Sequence, residues 1–142
     1  MTAATSRWVL ASGNSGKLRE IRAVLADSRI ELVAQSDLDV SSPEESGTTF
    51  VENALLKARH AALATGLPAI ADDSGLAVDA LAGAPGVHSA RYAGPAADSH
   101  ANIQKLLDAL AATPDAERGA RFYCVIVAMS SAEDSAPRIS QA

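Results

Sequence analysis

The chain has 142 residues and a net charge of −5, from 12 Lys and Arg against 17 Asp and Glu, and its length is that of a single domain that builds a core without staples. An acidic balance with no block of Lys or Arg argues against a nucleic-acid surface, so an anionic ligand has to be held by local donors. No apolar run approaches the roughly 20 residues of a membrane span, the N-terminus lacks the order of a secretion signal, and the lone Cys124 suits a reducing compartment, so a cytoplasmic protein is expected.

Trp8-Val9-Leu10-Ala11 reads as a short buried strand that breaks into Ser12-Gly13-Asn14-Ser15-Gly16-Lys17. Leu18, Ile21 and Leu25 then fall at helical spacing, which puts the small-residue loop between a strand and a helix N-terminus. Free backbone N–H groups and the positive end of the helix dipole converge at such a place, and Lys17 adds a mobile cation; this is the geometry of a phosphate site. The loop is not a Walker A sequence, because Ala11 stands where that pattern needs glycine and Leu18 where it needs Ser or Thr. A plain strand-to-helix turn is the alternative.

Glu31 to Gln35 reads as a second strand, followed by a polar stretch from Asp37 to Ser46 in which the adjacent Glu44 and Glu45 are candidate carboxylate donors. Thr49-Phe50-Val51-Glu52 is a capping box, with the Thr49 hydroxyl facing the Glu52 N–H and Glu52 reaching back to the Thr49 N–H. A helix from Phe50 to about Thr65 is expected, capped by Gly66 and stopped by Pro68. Phe50, Ala54, Leu55, Ala58, Ala61 and Ala62 make its apolar face, while Asn53 and Lys57, four apart, share a second one. Lys57 either points at a phosphate or only solvates the helix.

The next stretch, Ala69-Ile70-Ala71-Asp72-Asp73-Ser74-Gly75-Leu76, is an apolar strand that ends in two carboxylates, a hydroxyl and a glycine. Successive side chains on a strand point to opposite faces, so only one of Asp72 and Asp73 faces a given cleft. Ser74-Gly75 is expected to form a turn where backbone approaches a ligand. The alternative is that both aspartates merely cap a strand end. Leu76 to Leu81 is again apolar, and Gly83 to Val87 is a shaped loop rather than regular structure. It leads into Ser89-Ala90-Arg91-Tyr92-Ala93-Gly94, where Arg91 holds a phosphate or carboxylate bidentately or else forms a structural ion pair, with Tyr92 beside it.

Asp98 or Ser99 caps a further helix with Ile103, Leu106, Leu107 and Leu110 inward, ending before Thr113. His88 and His100 lack partners at metal spacing. Ala120 to Met129 reads as a final strand, within which Cys124 is a buried, inert thiol; Ser130 to Ala142 reads as a loop or tail.

Four stretches together, Ser12 to Lys17, Glu44 to Ala54, Ala71 to Leu76 and Gly86 to Gly94, closely resemble the inosine/xanthosine triphosphate pyrophosphatase family in its bacterial form, and the match runs from Trp8 to about Met129. The resemblance implies an α/β fold: an elongated mixed sheet flanked by helices, with two lobes and a central cleft. It also implies Mg2+-dependent hydrolysis of ITP, dITP and XTP to the monophosphate and pyrophosphate, by a homodimer that clears non-standard purines from the nucleotide pool. By the same resemblance Ser12, Gly13, Asn14, Ser15, Gly16 and Lys17 hold the triphosphate. Asp73 is the catalytic carboxylate and a metal contact, Ser74 touches substrate, and Glu44, or Glu45 in its place, helps with the metal. Lys57 and Arg91 are further substrate-binding candidates.

That residue set suits the chemistry, since attack by water on a phosphoryl centre needs charge neutralisation and positioning, and Mg2+ takes one or two carboxylates with waters and phosphate oxygens. The family continues past the final strand with a Phe-Gly-Tyr-Asp region that stacks on the base and a later Lys and His-Arg pair, none of which this sequence contains. Residues 1–142 are therefore expected to be the N-terminal, triphosphate and metal portion of such an enzyme, feebly active or inactive, with any residual activity indifferent to the base. A Maf-like nucleotide pyrophosphatase, a nucleotide-binding fragment without turnover and a purely structural fragment are the competing possibilities.

Overall fold

The computed structural model describes residues 4–142. Five strands form one open sheet in the order β2-β1-β3-β4-β5: β1 (Ser6–Leu10), β2 (Ile30–Ala34), β3 (Ala69–Val78), β4 (Ala120–Met129) and β5 (Arg138–Gln141). Three helices accompany them, α1 (Ser15–Val24), α2 (Phe50–Thr65) and α3 (Ser99–Ala109). β1 runs parallel to β2, with Trp8 opposite Leu32, and parallel to β3, with Val9 opposite Ala69. Cys124 and Ala142 exchange both backbone hydrogen bonds at 2.9 Å, the antiparallel pattern, so the sheet is mixed, as expected.

The chain groups into two compact units. One runs to Asp72 and takes in Val125–Ser140; the other is Asp73–Cys124 with the last two residues. In the first unit, alternation along the strands decides which helix each residue meets. Val9, Val33, Ala69 and Ala71 pack with Ala54, Ala58, Ala61 and Ala62 of α2, together with Val125, Val127 and Met129. Leu10, Leu32 and Ile70 point the other way and pack with Leu18, Ile21 and Leu25 from α1 and its C-cap. Two helices on opposite faces of a largely parallel sheet are the expected outcome of strands that are apolar on both sides. The alanines of α2 let that helix lie close to the sheet.

α2 has the bounds read from the sequence, because both ends are set by local chemistry. The Thr49 hydroxyl accepts from the Glu52 N–H at 3.1 Å, and Gly66 takes φ +70° as the left-handed C-cap. The return half of the capping box is displaced by one residue: the Glu52 carboxylate accepts from the Thr48 N–H at 3.0 Å, not from Thr49. On β2's outer side Arg22 of α1 donates two hydrogen bonds, at 2.8 and 3.0 Å, to the Leu32 carbonyl.

Four further expectations are corrected. Ser74-Gly75 is not a turn; β3 continues through both to Val78, because the sheet supplies the backbone partners that a local reading of Ser and Gly leaves out. Ser130 to Ala142 is not simply a tail, for the turn after β4 is closed by Asp134 and the chain returns as β5. Asp134 accepts from the backbone N–H and hydroxyl of Ser130 and from the Ala136 N–H, each at 2.9 Å, and the two backbone bonds first, then the hydroxyl, hold its carboxyl below the ordinary aspartate pKa.

In the second unit α3 starts where Asp98 accepts the Ala101 N–H, and buries Leu110 at its end. The third correction falls here: Ile103 and Leu107, expected inward, are 56% and 49% exposed, because α3 packs mainly on the short 3-10 segment Gly86–Arg91, which is too small to cover its apolar stripe. Cys124 is half-buried rather than buried. Among the described residues no helix is long and apolar enough to cross a membrane.

Candidate active site

The first unit carries the expected phosphate loop. Asn14 caps α1, its side-chain oxygen accepting from the Gly16 N–H at 2.9 Å and the Lys17 N–H at 3.2 Å, while its own N–H donates to the Ser12 hydroxyl at 3.1 Å. The N–H groups of Gly16 and Lys17, expected to be free for phosphate, are thus taken by the cap. Ser12, Gly13, Asn14 and Ser15 line a cavity of about 190 Å3 together with Ser36 and Asp37.

Lys17 is not a mobile cation. Its ammonium lies 2.6 Å from Asp72 Oδ2, and the Asp72 side chain is only 6% exposed against 34% for Lys17. The second Asp72 oxygen is buried without a hydrogen bond. A buried carboxyl in that situation depends on the Lys17 ammonium as its polar partner. Asp72, expected to face away from the site, is therefore the residue that aims Lys17.

The acidic loop is fastened to the first two turns of α2. Glu45 pairs with Lys57 at 3.0 Å; the Lys57 side chain is only 12% exposed. One turn earlier, Asn53 is fully buried and its oxygen accepts the Gly47 N–H at 2.7 Å. Gly47 is required there, since a Cβ would come to 2.5 Å from that Asn53 oxygen and 2.8 Å from Glu52 Cβ. Lys57 thus ties the acidic loop to α2 through Glu45. Glu44, next to Glu45, is exposed. Asn53 was legible only as the partner of Lys57 on one helix face; its burial and its hold on Gly47 come from the folded loop.

The second unit holds Asp73, Ser74 and Arg91. Asp73 is buried, 7% exposed, and its Oδ1 accepts the Ser74 N–H at 3.1 Å; Ser74 itself is exposed. Ser74, Leu76, Ser89, Asn102, Ile103 and Phe122 are among the residues around a depression of about 600 Å3. The Ser89 hydroxyl ties its floor, accepting from the Leu76 N–H at 2.9 Å and donating to the Gly86 carbonyl at 2.6 Å. Arg91 closes the Gly86–Arg91 segment and is half-buried. The loop after it is clamped from α3: Asn102 accepts from the Ala93 N–H and donates to the Ala90 carbonyl, and Lys105 donates to the Tyr92 carbonyl with its ammonium 4.2 Å from the centre of the Tyr92 ring. Tyr92, expected beside Arg91, is thus covered by Lys105.

Hard oxygen donors are what these carboxylates offer a metal. Among the described residues no three His, Cys, Asp or Glu side chains come together as a ligand set.

A sequence profile of the Ham1 family matches residues 8–141. The chain belongs to the Ham1 family. It is 60% identical over 131 residues to the dITP/XTP pyrophosphatase of Shigella flexneri and 62% identical to that of Yersinia pestis, in each case over 92% of this chain and 66% of the relative. The chain thus spans just under two-thirds of the length of these curated relatives. Among solved structures, a HAM1 protein from Coxiella burnetii superposes with a TM-score of 0.90 at 52% identity, covering 96% of this chain and 69% of that one. The Ham1 protein of Staphylococcus aureus gives 0.82 at 39% identity, over 96% and 68%. The Ham1 fold, an open mixed sheet flanked by helices, is the one described above.

Proposed function

We propose that this Ham1 chain takes part in the hydrolysis of ITP, dITP and XTP to the monophosphate and pyrophosphate. The observation that carries this reading is the 60% identity to curated dITP/XTP pyrophosphatases over a stretch that includes the capped loop, with Lys17 aimed by Asp72. Lys17 and the helix N-terminus behind Ser12 to Gly16 serve the phosphates. Asp73, a buried carboxylate on β3, serves as the catalytic group that takes a proton from water or holds metal, with the exposed Ser74 next to it against substrate.

The metal is proposed to be Mg2+, whose chemistry is to neutralise phosphate charge and acidify bound water. Its proposed donors are Asp73 and a carboxylate of the acidic loop. Between the two candidates there, the half-buried Glu45 is oriented by Lys57, whereas Glu44 is exposed, and an oriented carboxylate loses less freedom on binding. Glu45 is therefore preferred to Glu44. Arg91 is proposed as a substrate contact. Lys57 is proposed to act through Glu45. The proposal includes a cytoplasmic location, supported by the lone cysteine, the absence of nucleic-acid partners, supported by the acidic charge, and a homodimer, which rests on the family resemblance alone.

The test is pyrophosphate release from ITP in the presence of Mg2+, with calorimetric binding of ITP and IMP on the same preparation. Turnover supports the enzyme. ITP binding without turnover supports a nucleotide-binding module, and absence of both overturns the reading.

A further inference from the structure

We infer that Asn53 is the positioning residue of the acidic loop, the group through which α2 sets where the metal-donor carboxylate stands; this rests on the proposed function above. Asn53 is a polar side chain with no exposed surface, and its environment fixes which end of the amide is which. Gly47 presents an N–H at 2.7 Å, so the amide oxygen must face the loop. The Nδ2 group is then left buried, and it has no hydrogen-bond partner among the described residues. A buried donor with nothing to donate to is expensive unless an acceptor arrives, and a helix interior gains nothing from asparagine that alanine would not supply more cheaply. The position is costly to the fold and useful to the loop.

The geometry agrees from the loop's side. Gly47 stands two residues from Glu45, and the close approach of its backbone to Asn53 is possible only without a Cβ. With Lys57 one turn on holding Glu45, α2 grips the loop at two points two residues apart in sequence, so the backbone bond at Gly47 fixes the chain from which the Glu45 carboxylate projects.

The experiment measures ITP binding by calorimetry across a Mg2+ series and in EDTA, for the wild-type chain, Asn53→Ala and Gly47→Ala, with thermal melts of each. The expected result is a Mg2+ half-saturation raised five-fold or more in both variants, with the metal-free ITP affinity, which depends on the Lys17 loop, within two-fold of wild type. A merely structural role would lower the melting temperature and move both affinities together, or neither, and either outcome overturns the inference. Should Asn53→Ala fail to fold, Gly47→Ala decides alone, since it displaces the loop and leaves the helix intact. Loss of Mg2+-dependent ITP binding by the wild-type chain would instead count against the proposed function, which keeps the two failures apart.

Discussion

Lys17 and Asp72, 55 residues apart in sequence, meet at 2.6 Å in an ion pair whose two ends differ in burial, 34% exposed for the cation and 6% for the carboxylate. Removing either partner strands the other, and the cost depends on which charge is left. Lys17→Met leaves an unpaired carboxylate in the interior, whereas Asp72→Asn leaves an ammonium that can turn to water. Breaking a buried pair costs roughly 3–5 kcal/mol, reduced here by solvent screening at the lysine. We therefore expect Lys17→Met to destabilise by about 2–3 kcal/mol and Asp72→Asn by about 1 kcal/mol, with the double variant less affected than the sum. Urea unfolding midpoints check the order, and a larger loss for Asp72→Asn would contradict it.

Asp73→Asn is expected to abolish pyrophosphate release in any preparation that turns over ITP, because the amide keeps the shape but loses the charge for metal and the basicity for water. Retention of more than a tenth of the wild-type rate at saturating Mg2+ would remove Asp73 from its proposed role. Asp72→Asn acts differently: it frees Lys17, so its defect should be weaker ITP binding with IMP affected less.

Of the two adjacent glutamates, Glu45→Gln should raise the Mg2+ requirement at least ten-fold, and Glu44→Gln less than three-fold. The opposite ranking in a Mg2+ titration of ITP turnover or binding would return the metal role to Glu44.

Asp134 supplies a pH dependence. Its carboxyl titrates below the ordinary aspartate range because three donors in the β4–β5 turn favour the charged form. A depressed folded pKa means that the stabilisation is present in full above the unfolded aspartate value and is lost as pH falls through the lower, folded one. The melting temperature of Asp134→Asn should thus lie below that of the wild type at neutral pH, with the gap closing in acid. A gap unchanged at the lowest pH where both fold would show that the charge is not what holds the turn.

How much of this could be read from the residues depended on how far apart the interacting groups lie. α2, expected from Phe50 to about Thr65, was legible because Thr49 and Gly66 sit at its own ends. That Trp8 to Ala11 and Glu31 to Gln35 lie in or beside strands followed from their apolar runs, and α1 from the spacing of Leu18, Ile21 and Leu25. By contrast, the run through Ser74-Gly75 and the return of β5 depend on neighbouring strands, which overrule local turn chemistry. The site divides in the same manner. Its candidates stood out as motifs, but that Asp72 holds Lys17, that Lys57 holds Glu45 and that Asn53 holds Gly47 are contacts between elements, and spacing along the chain does not contain them.

The two hydrogen bonds from Arg22 to the Leu32 carbonyl have a meaning for the molecule in a crowded solution. β2 is an outer strand of the sheet, and the carbonyls of an outer strand invite the N–H groups of another chain. A guanidinium folded over one of them from α1 occupies that acceptor with a fixed positive charge, which an incoming strand would have to expel before it could add on. Part of the protein's defence against templated fibre growth along this edge therefore rests on a helix side chain, and it holds only while the first helix keeps Arg22 in place.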